Sequence, residues 1–99
     1  MCKTILLLYT VVMRIWIREF KDNHLKRDTV IENYDQDTRT HKVFDALEKA
    51  CVEFDLCKPI WLEKNIREFK KSSRTKFYQD NFVETIDFDF LDFNVIEED

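Results

Sequence analysis

Alternating apolar and polar positions over residues 14–20 predict the first strand, with Ile15 and Ile17 on one face. The other face carries arginines that alternate with aromatic residues, namely Arg14, Trp16, Arg18 and Phe20. Residues 26–34 are again rich in β-branched and aromatic side chains, and the polar residues 21–24 between the two runs predict a hairpin. Because no glycine is present for a two-residue turn, we expect a loop of about three to five residues.

After the hairpin, apolar residues recur with the period of a helix. This pattern predicts an amphipathic helix with Thr38 or Thr40 as its N-cap. Its apolar stripe consists of Val43, Phe44, Leu47, Ala50, Cys51 and Phe54. Pro59 separates it from a second predicted helix, at about residues 60–72. Leu62, Ile66 and Phe69 form the predicted buried edge of that second helix.

Strand character returns over residues 87–96, where Leu91, Phe93 and Val95 share one face. The order β-β-α-α-β predicts an α+β, two-layer fold: a small antiparallel or mixed sheet, made of the N-terminal hairpin and the C-terminal strand, packed against two helices. We expect a single domain over residues 13–99 with an acidic C-terminal end. The apolar residues 1–12 are either an extra edge strand, a packed helix or an upstream extension of the reading frame.

Length and composition exclude several classes of protein. The 99 residues have room for one domain, and 44% hydrophobic with 36% charged residues indicates a soluble globular chain. The sequence contains no glycine, which phosphate-binding loops, dinucleotide-binding loops and nucleophile elbows require. The longest uncharged run, residues 4–13, is too short to cross a bilayer, so we expect no membrane association.

Three cysteines, at spacings that match neither zinc nor redox motifs, indicate a reducing cytoplasm. Of these, Cys51 lies on the apolar stripe of the first helix, where a free thiol packs as a small hydrophobe. No cofactor and no metal are predicted, and no set of catalytic residues can be assembled from the sequence.

Charge is distributed unevenly along the chain, whose net charge is -4. Residues 1–78 contain all 16 basic residues against 12 acids, whereas residues 79–99 contain eight acids and no base. We expect the fold to bring the positive middle and the negative end into contact, which would leave no strongly cationic groove for a polynucleotide.

Basic residues of the second helix form a candidate binding stripe if that helix extends far enough: Lys64, Arg67, Lys71 and Arg74. The stripe would suit nucleic-acid phosphates, or it is an ordinary solvated face. Arginines and aromatics on the first strand would suit stacking of unpaired bases, unless Trp16 and Phe20 are buried under the helices or under the N-terminal segment.

The C-terminal acids form a predicted acidic surface: Asp87, Asp89, Asp92, Glu97, Glu98 and Asp99. Such a ribbon would dock on a basic protein, or it protects an edge strand from aggregation. Asp87 and Asp89 share a predicted strand face and could bind a hard cation, and Asp35 with Asp37 repeats this spacing in a loop, although two carboxylates make a poor site.

These patterns together favour a small non-enzymatic, cytoplasmic adaptor that binds a protein partner through the exposed aromatic and charged sheet surface or through a sheet edge. A second copy of the chain, paired through an edge strand, is one form of that partner. The alternative is a nucleic-acid-binding protein that uses the basic and aromatic strand face with the basic helix stripe. A metal-dependent hydrolase using Asp87 and Asp89 is the least improbable enzyme.

Overall fold

The predicted α+β order is confirmed by a computed structural model, which describes residues 13–34 and 37–98. The elements are β1 (Met13–Lys21), β2 (His24–Asn33), α1 (Arg39–Phe54), α2 (Glu63–Ser72), β3 (Arg74–Phe77), a short 3-10 helix (Gln79–Asn81) and β4 (Phe90–Glu98). In this part of the chain the strands form one antiparallel sheet in the order β2-β1-β4-β3, so that β3 is a strand beyond those predicted. The segment 1–12, for which a strand or a helix was predicted, lies outside the described residues.

The hairpin between β1 and β2 turns more tightly than predicted. Only Asp22 and Asn23 separate the strands, and both have positive φ, at 53° and 66°. The expectation of a longer loop was wrong because Asp and Asn tolerate the left-handed conformation and can replace glycine in a two-residue turn. The backbone N–H of Asp22 also donates to Asp89 Oδ2 at 2.8 Å, which ties the turn to the segment before β4.

Helix α1 follows the predicted pattern closely. Thr38 is its N-cap and accepts a hydrogen bond from the backbone N–H of His41 at 3.2 Å, while Asp55 ends the helix in the left-handed conformation. Most of the predicted stripe is buried against the sheet. The exception is Phe44, which is 49% exposed at the edge of the stripe, so its predicted burial was wrong.

Helix α2 ends at Ser72 as predicted, but it begins at Glu63, about three residues later than predicted, and buries a different face. Ser73 adopts φ of 58° and donates its N–H to the carbonyl of Phe69 at 2.8 Å, which ends the helix. Arg74 therefore begins β3 and does not extend the basic helix stripe. The buried residues of α2 are Asn65 and Phe69, whereas Ile66, predicted on the buried edge, is 44% exposed.

Asn65 takes the buried position because its amide joins a network that fixes the loop before α2. Its Nδ2 donates to Thr75 Oγ1 at 2.8 Å, and its Oδ1 accepts from Asn81 Nδ2 at 2.7 Å and from the backbone N–H of Leu62 at 3.1 Å. Asn81 Nδ2 also donates to the carbonyl of Ile60 at 2.7 Å. With these partners the buried amides avoid the penalty of unsatisfied polar groups.

One hydrophobic core lies between the helices and one face of the sheet. Its buried side chains include Ile15, Ile17, Leu47, Cys51, Phe77, Leu91 and Phe93. Trp61, in the loop before α2, makes edge-to-face contacts with Phe69, Phe77 and Phe93 at centroid distances of 5.4, 5.1 and 6.0 Å. Neither helix within residues 13–34 and 37–98 has the length and apolar character that crossing a bilayer requires.

Candidate binding face

The sheet face that turns away from the helices is the main candidate interaction surface. Side chains of β1 alternate between the core and this open face, so that the latter carries Arg14, Trp16, Arg18 and Phe20. Their register partners on β4 are Glu97, Asn94, Asp92 and Phe90, and β3 adds Arg74 and Lys76. On β2 the partners include Glu32, Val30 and Asp28. No helix of the described residues packs on the open face.

Aromatic and cationic side chains of the open face are stacked along β1. The guanidinium carbon of Arg18 lies 4.1 Å from the ring centroid of Trp16 and 5.3 Å from that of Phe20. Phe20 in turn stacks on Phe90 of β4 at 5.1 Å, and Trp16 Nε1 donates to Asp28 Oδ2 at 2.7 Å. Each of these contacts restricts a rotamer, so that the side chains of the open face hold one another in place.

Asp92 lies at the centre of the open face and is only 1% exposed. Its carboxylate accepts from Arg18 Nε at 3.1 Å and lies 3.4 Å from Arg74 Nη2. The prediction of Asp92 as part of an acidic surface was therefore wrong. The antiparallel register places Arg18 and Asp92 directly opposite each other, and Arg74 reaches the same carboxylate from β3. A buried carboxylate needs such partners, since an unpaired charge there would be strongly destabilising.

The predicted contact between the positive middle and the negative end of the chain is confirmed. Arg14 binds Glu97 and Glu32, both at 2.8 Å, and these two carboxylates raise the pKa of Arg14, with Glu97 as the larger cause. Arg39 binds Glu98 at 2.7 Å. The arginines of the open face thus lie beside carboxylates, and its charges are nearly balanced.

The remaining residues of the predicted basic stripe lie on α2, away from the centre of the open face. Lys64 lies 3.8 Å from Asp80, and Arg67 lies 3.9 Å from Glu63. Lys71 is exposed. The structure brings one part of the stripe together: Lys64 and Arg74, joined by Lys76, Glu68 and Tyr78, line a shallow cleft at the β3 edge.

Asp87 and Asp89 do not share a strand face, because β4 begins only at Phe90. They flank the buried Phe88 in the preceding bend, and Asp89 caps the hairpin turn through Asp22. Within residues 13–34 and 37–98, no group of three or more His, Cys, Asp and Glu side chains is placed to hold a metal ion. Asp99, the last predicted acidic residue, lies outside the described residues.

The two cysteines of the described residues differ in environment. Cys51 is buried in the core, as predicted, and burial raises the pKa of its thiol to about 11. Cys57 is exposed, and its Sγ lies 3.4 Å from Glu84 Oε1; this hydrogen bond raises the pKa of the Cys57 thiol. A raised pKa disfavours the thiolate, so neither side chain has the environment of a reactive cysteine.

The chain has no match among protein-family models, curated proteins or solved structures. Its function must therefore be argued from the geometry and charge of its own surfaces.

Proposed function

We propose that this chain is a small cytoplasmic protein-binding domain, without catalysis, that engages a partner protein through the open face. One observation carries the proposal: an ordered layer of aromatic, arginine and carboxylate side chains is covered by no second layer of described residues. Trp, Phe and Arg are residue types that protein interfaces favour, because they supply large contact areas at a low entropic cost. The free thiols of Cys51 and Cys57 support a reducing compartment.

Charge balance on the open face favours a protein partner over a nucleic acid. Nucleic-acid affinity depends on cations that are free to neutralise phosphates. Arg18 and Arg74 share the carboxylate of Asp92, and Arg14 already binds two glutamates. A partner would thus be recognised by shape, aromatic contact and hydrogen bonds, with little dependence of the affinity on salt.

The outer edge of β2 extends the same surface. Among the strands that the structure describes, β2 is the outermost one beside β1, and most of its side chains are exposed. Val30 stands on the open face opposite Trp16 and is 45% exposed. A strand added along β2, from a partner or from a second copy of the chain, would form main-chain hydrogen bonds and cover Val30 at the same time.

A photo-crosslinking experiment in the native cell tests this proposal. A benzophenone amino acid replaces either Val30 on the open face or Val52 on α1, which is 76% exposed and serves as the matched control. We expect one protein adduct from position 30 that persists after nuclease treatment and is absent from position 52. An adduct between two copies would identify the second copy as the partner. Equal labelling from both positions, or loss of the adduct with nuclease, would contradict the proposal.

Nucleic-acid binding is a second candidate, favoured by the cleft at the β3 edge where Lys64, Arg74 and Lys76 meet. Fluorescence anisotropy with single-stranded RNA and DNA oligonucleotides at two salt concentrations tests it. Binding that weakens steeply with salt and is lost in Lys76→Glu, but not in the control Lys49→Glu, would support this candidate. Absence of binding at low salt would remove it.

A further inference from the structure

An apolar cleft runs between α1 and α2, on the side of the molecule opposite the open face. It encloses about 210 Å³. Its walls and floor come from Val43 and Phe44 of α1, from Trp61 in the loop, and from Ile66 and Phe69 of α2. The cleft shares no residue with the open face, so a ligand could bind in the cleft independently of the function proposed above.

The cleft explains why two large apolar side chains at predicted buried positions are exposed. Phe44 and Ile66, 49% and 44% exposed, stand on opposite sides of the cleft. Phe44 is held in place by an edge-to-face contact with Trp61 at 5.8 Å. An apolar side chain placed between Phe44 and Ile66 would remove both from water, which is favourable in proportion to the apolar surface that it covers.

The charges at the rim of the cleft are positive. Arg39 and Lys70 line it, and no acidic residue does. Arg39 already binds one carboxylate, that of Glu98, while its guanidinium lies 5.0 Å above the ring of Phe69. Lys70 has no carboxylate partner among the residues that the structure describes. A ligand that carries a carboxylate beside its apolar group would therefore complement both the lining and the rim.

The size of the cleft favours a peptide over a cofactor. Sites for small molecules usually enclose about 300 to 1,000 Å³, so this cleft suits one or two side chains. A second cleft on the other side of Phe44 is lined in part by Asp45 and Glu48, so it does not suit an acidic segment, which would be confined to the first cleft. We infer that the apolar cleft between α1 and α2 binds an acidic, amphipathic peptide segment of another protein, with an apolar side chain between Phe44 and Ile66 and a carboxylate at Lys70.

Selection from a random display library of 12-residue peptides on the immobilised full chain tests this inference. We expect enriched peptides to combine a large apolar residue with a neighbouring Asp or Glu. Synthetic copies of these peptides are then titrated against a Trp16→Phe variant, in which Trp61 is the remaining tryptophan and reports directly on the cleft. Absence of enrichment over the bare support, or enrichment without acidic residues, would overturn the inference.

Matched variants locate the bound peptide. Lys70→Glu should weaken binding about fivefold or more, whereas Lys71→Glu, the same charge change one position away and outside the cleft, should change it less than about twofold. Phe44→Ala should weaken binding about tenfold, and the exposed Val52→Ala should have no effect. Equal effects of the paired variants would overturn the inference. So would a dimer in sedimentation that Phe44→Ala dissociates, since a second copy would then occupy the cleft.

Discussion

Arg18 and Asp92 face each other across β1 and β4, on the side of the sheet against which neither α1 nor α2 packs. Asp92 is nevertheless almost completely buried, because Arg18 and Arg74 cover its carboxylate while aromatic rings flank Arg18. The open face thus has a small polar centre of its own. Side chains ordered in this way lose little conformational entropy on association, which favours binding by a preformed surface.

Removal of the Asp92 charge should destabilise the fold. Asp92→Asn would leave Arg18 and Arg74 without their shared carboxylate, and breaking a buried ion pair usually costs about 3 to 5 kcal/mol. Both arginines lie near solvent and can rehydrate, so we expect the free energy of unfolding to fall by only about 2 kcal/mol. Urea denaturation followed by tryptophan fluorescence measures it.

The exposed pair of Asp45 and Lys49, at 3.0 Å, provides the control. Asp45→Asn removes a carboxylate of the same type from a helix surface, where such a pair is worth about 0.3 to 0.5 kcal/mol. If Asp92→Asn and Asp45→Asn lower the free energy of unfolding by similar amounts, the burial of Asp92 does not strengthen its ion pairs.

The periodicity of apolar residues was sufficient to predict β1, α1 and the order of elements, because the apolar stripes of β1 and α1 face the same core. It was not sufficient for β3, whose four residues are too few to show a period and whose position depends on pairing with β4. The stripe could include Arg74 only if the second helix extended past residue 72, and the left-handed conformation of Ser73 ends α2 there.

Polar residues of the candidate site were the hardest to predict. The sequence pattern predicts Asp92 at the surface and gives no sign that Asn65 is buried, since polar residues in an amphipathic pattern usually face water. Both are buried because partners distant in sequence satisfy them: Arg18 for Asp92, and Asn81 for Asn65. Information of this kind lies in the tertiary contacts and is absent from a single sequence.

Asn23 in the hairpin turn gives a prediction about backbone strain. Asn23→Gly should stabilise the protein by up to about 1 kcal/mol, because glycine adopts positive φ without a steric penalty. Asn23→Ala should destabilise it by about 1 kcal/mol for the opposite reason. Chemical denaturation of the two variants beside the parent measures both changes, and effects of the same sign would contradict this account of the turn.

The hydrogen bond between Asn65 and Asn81 should produce strongly non-additive mutations. Each of Asn65→Ala and Asn81→Ala leaves a buried amide without its partner, which costs about 1 to 3 kcal/mol. Once one amide is gone, removal of the other should cost less, so a double-mutant cycle should give a coupling of about 1 kcal/mol or more. Additive losses in urea denaturation would mean that the two amides act separately.

Burial of Cys51 gives a pH-dependent prediction. Its pKa is about 11 in the folded chain, against an ordinary value of 9.0. A raised pKa in the folded state means that the unfolded state releases the proton first. The stabilising contribution is therefore complete below pH 9 and is lost as the pH rises toward about 11. Between these limits the free energy of unfolding should fall by about 2 kcal/mol more in the parent than in Cys51→Ala.

Comparison with Val43→Ala isolates the thiol from the other groups that titrate at high pH. Val43 is buried on the same apolar stripe and has no titrating group, so its truncation should lower the free energy of unfolding by the same amount at every pH. The difference between the parent and Cys51→Ala should instead shrink as the pH rises. A constant difference for both variants would show that the Cys51 thiol ionises equally well in the folded chain, and hence that its burial does not control its pKa.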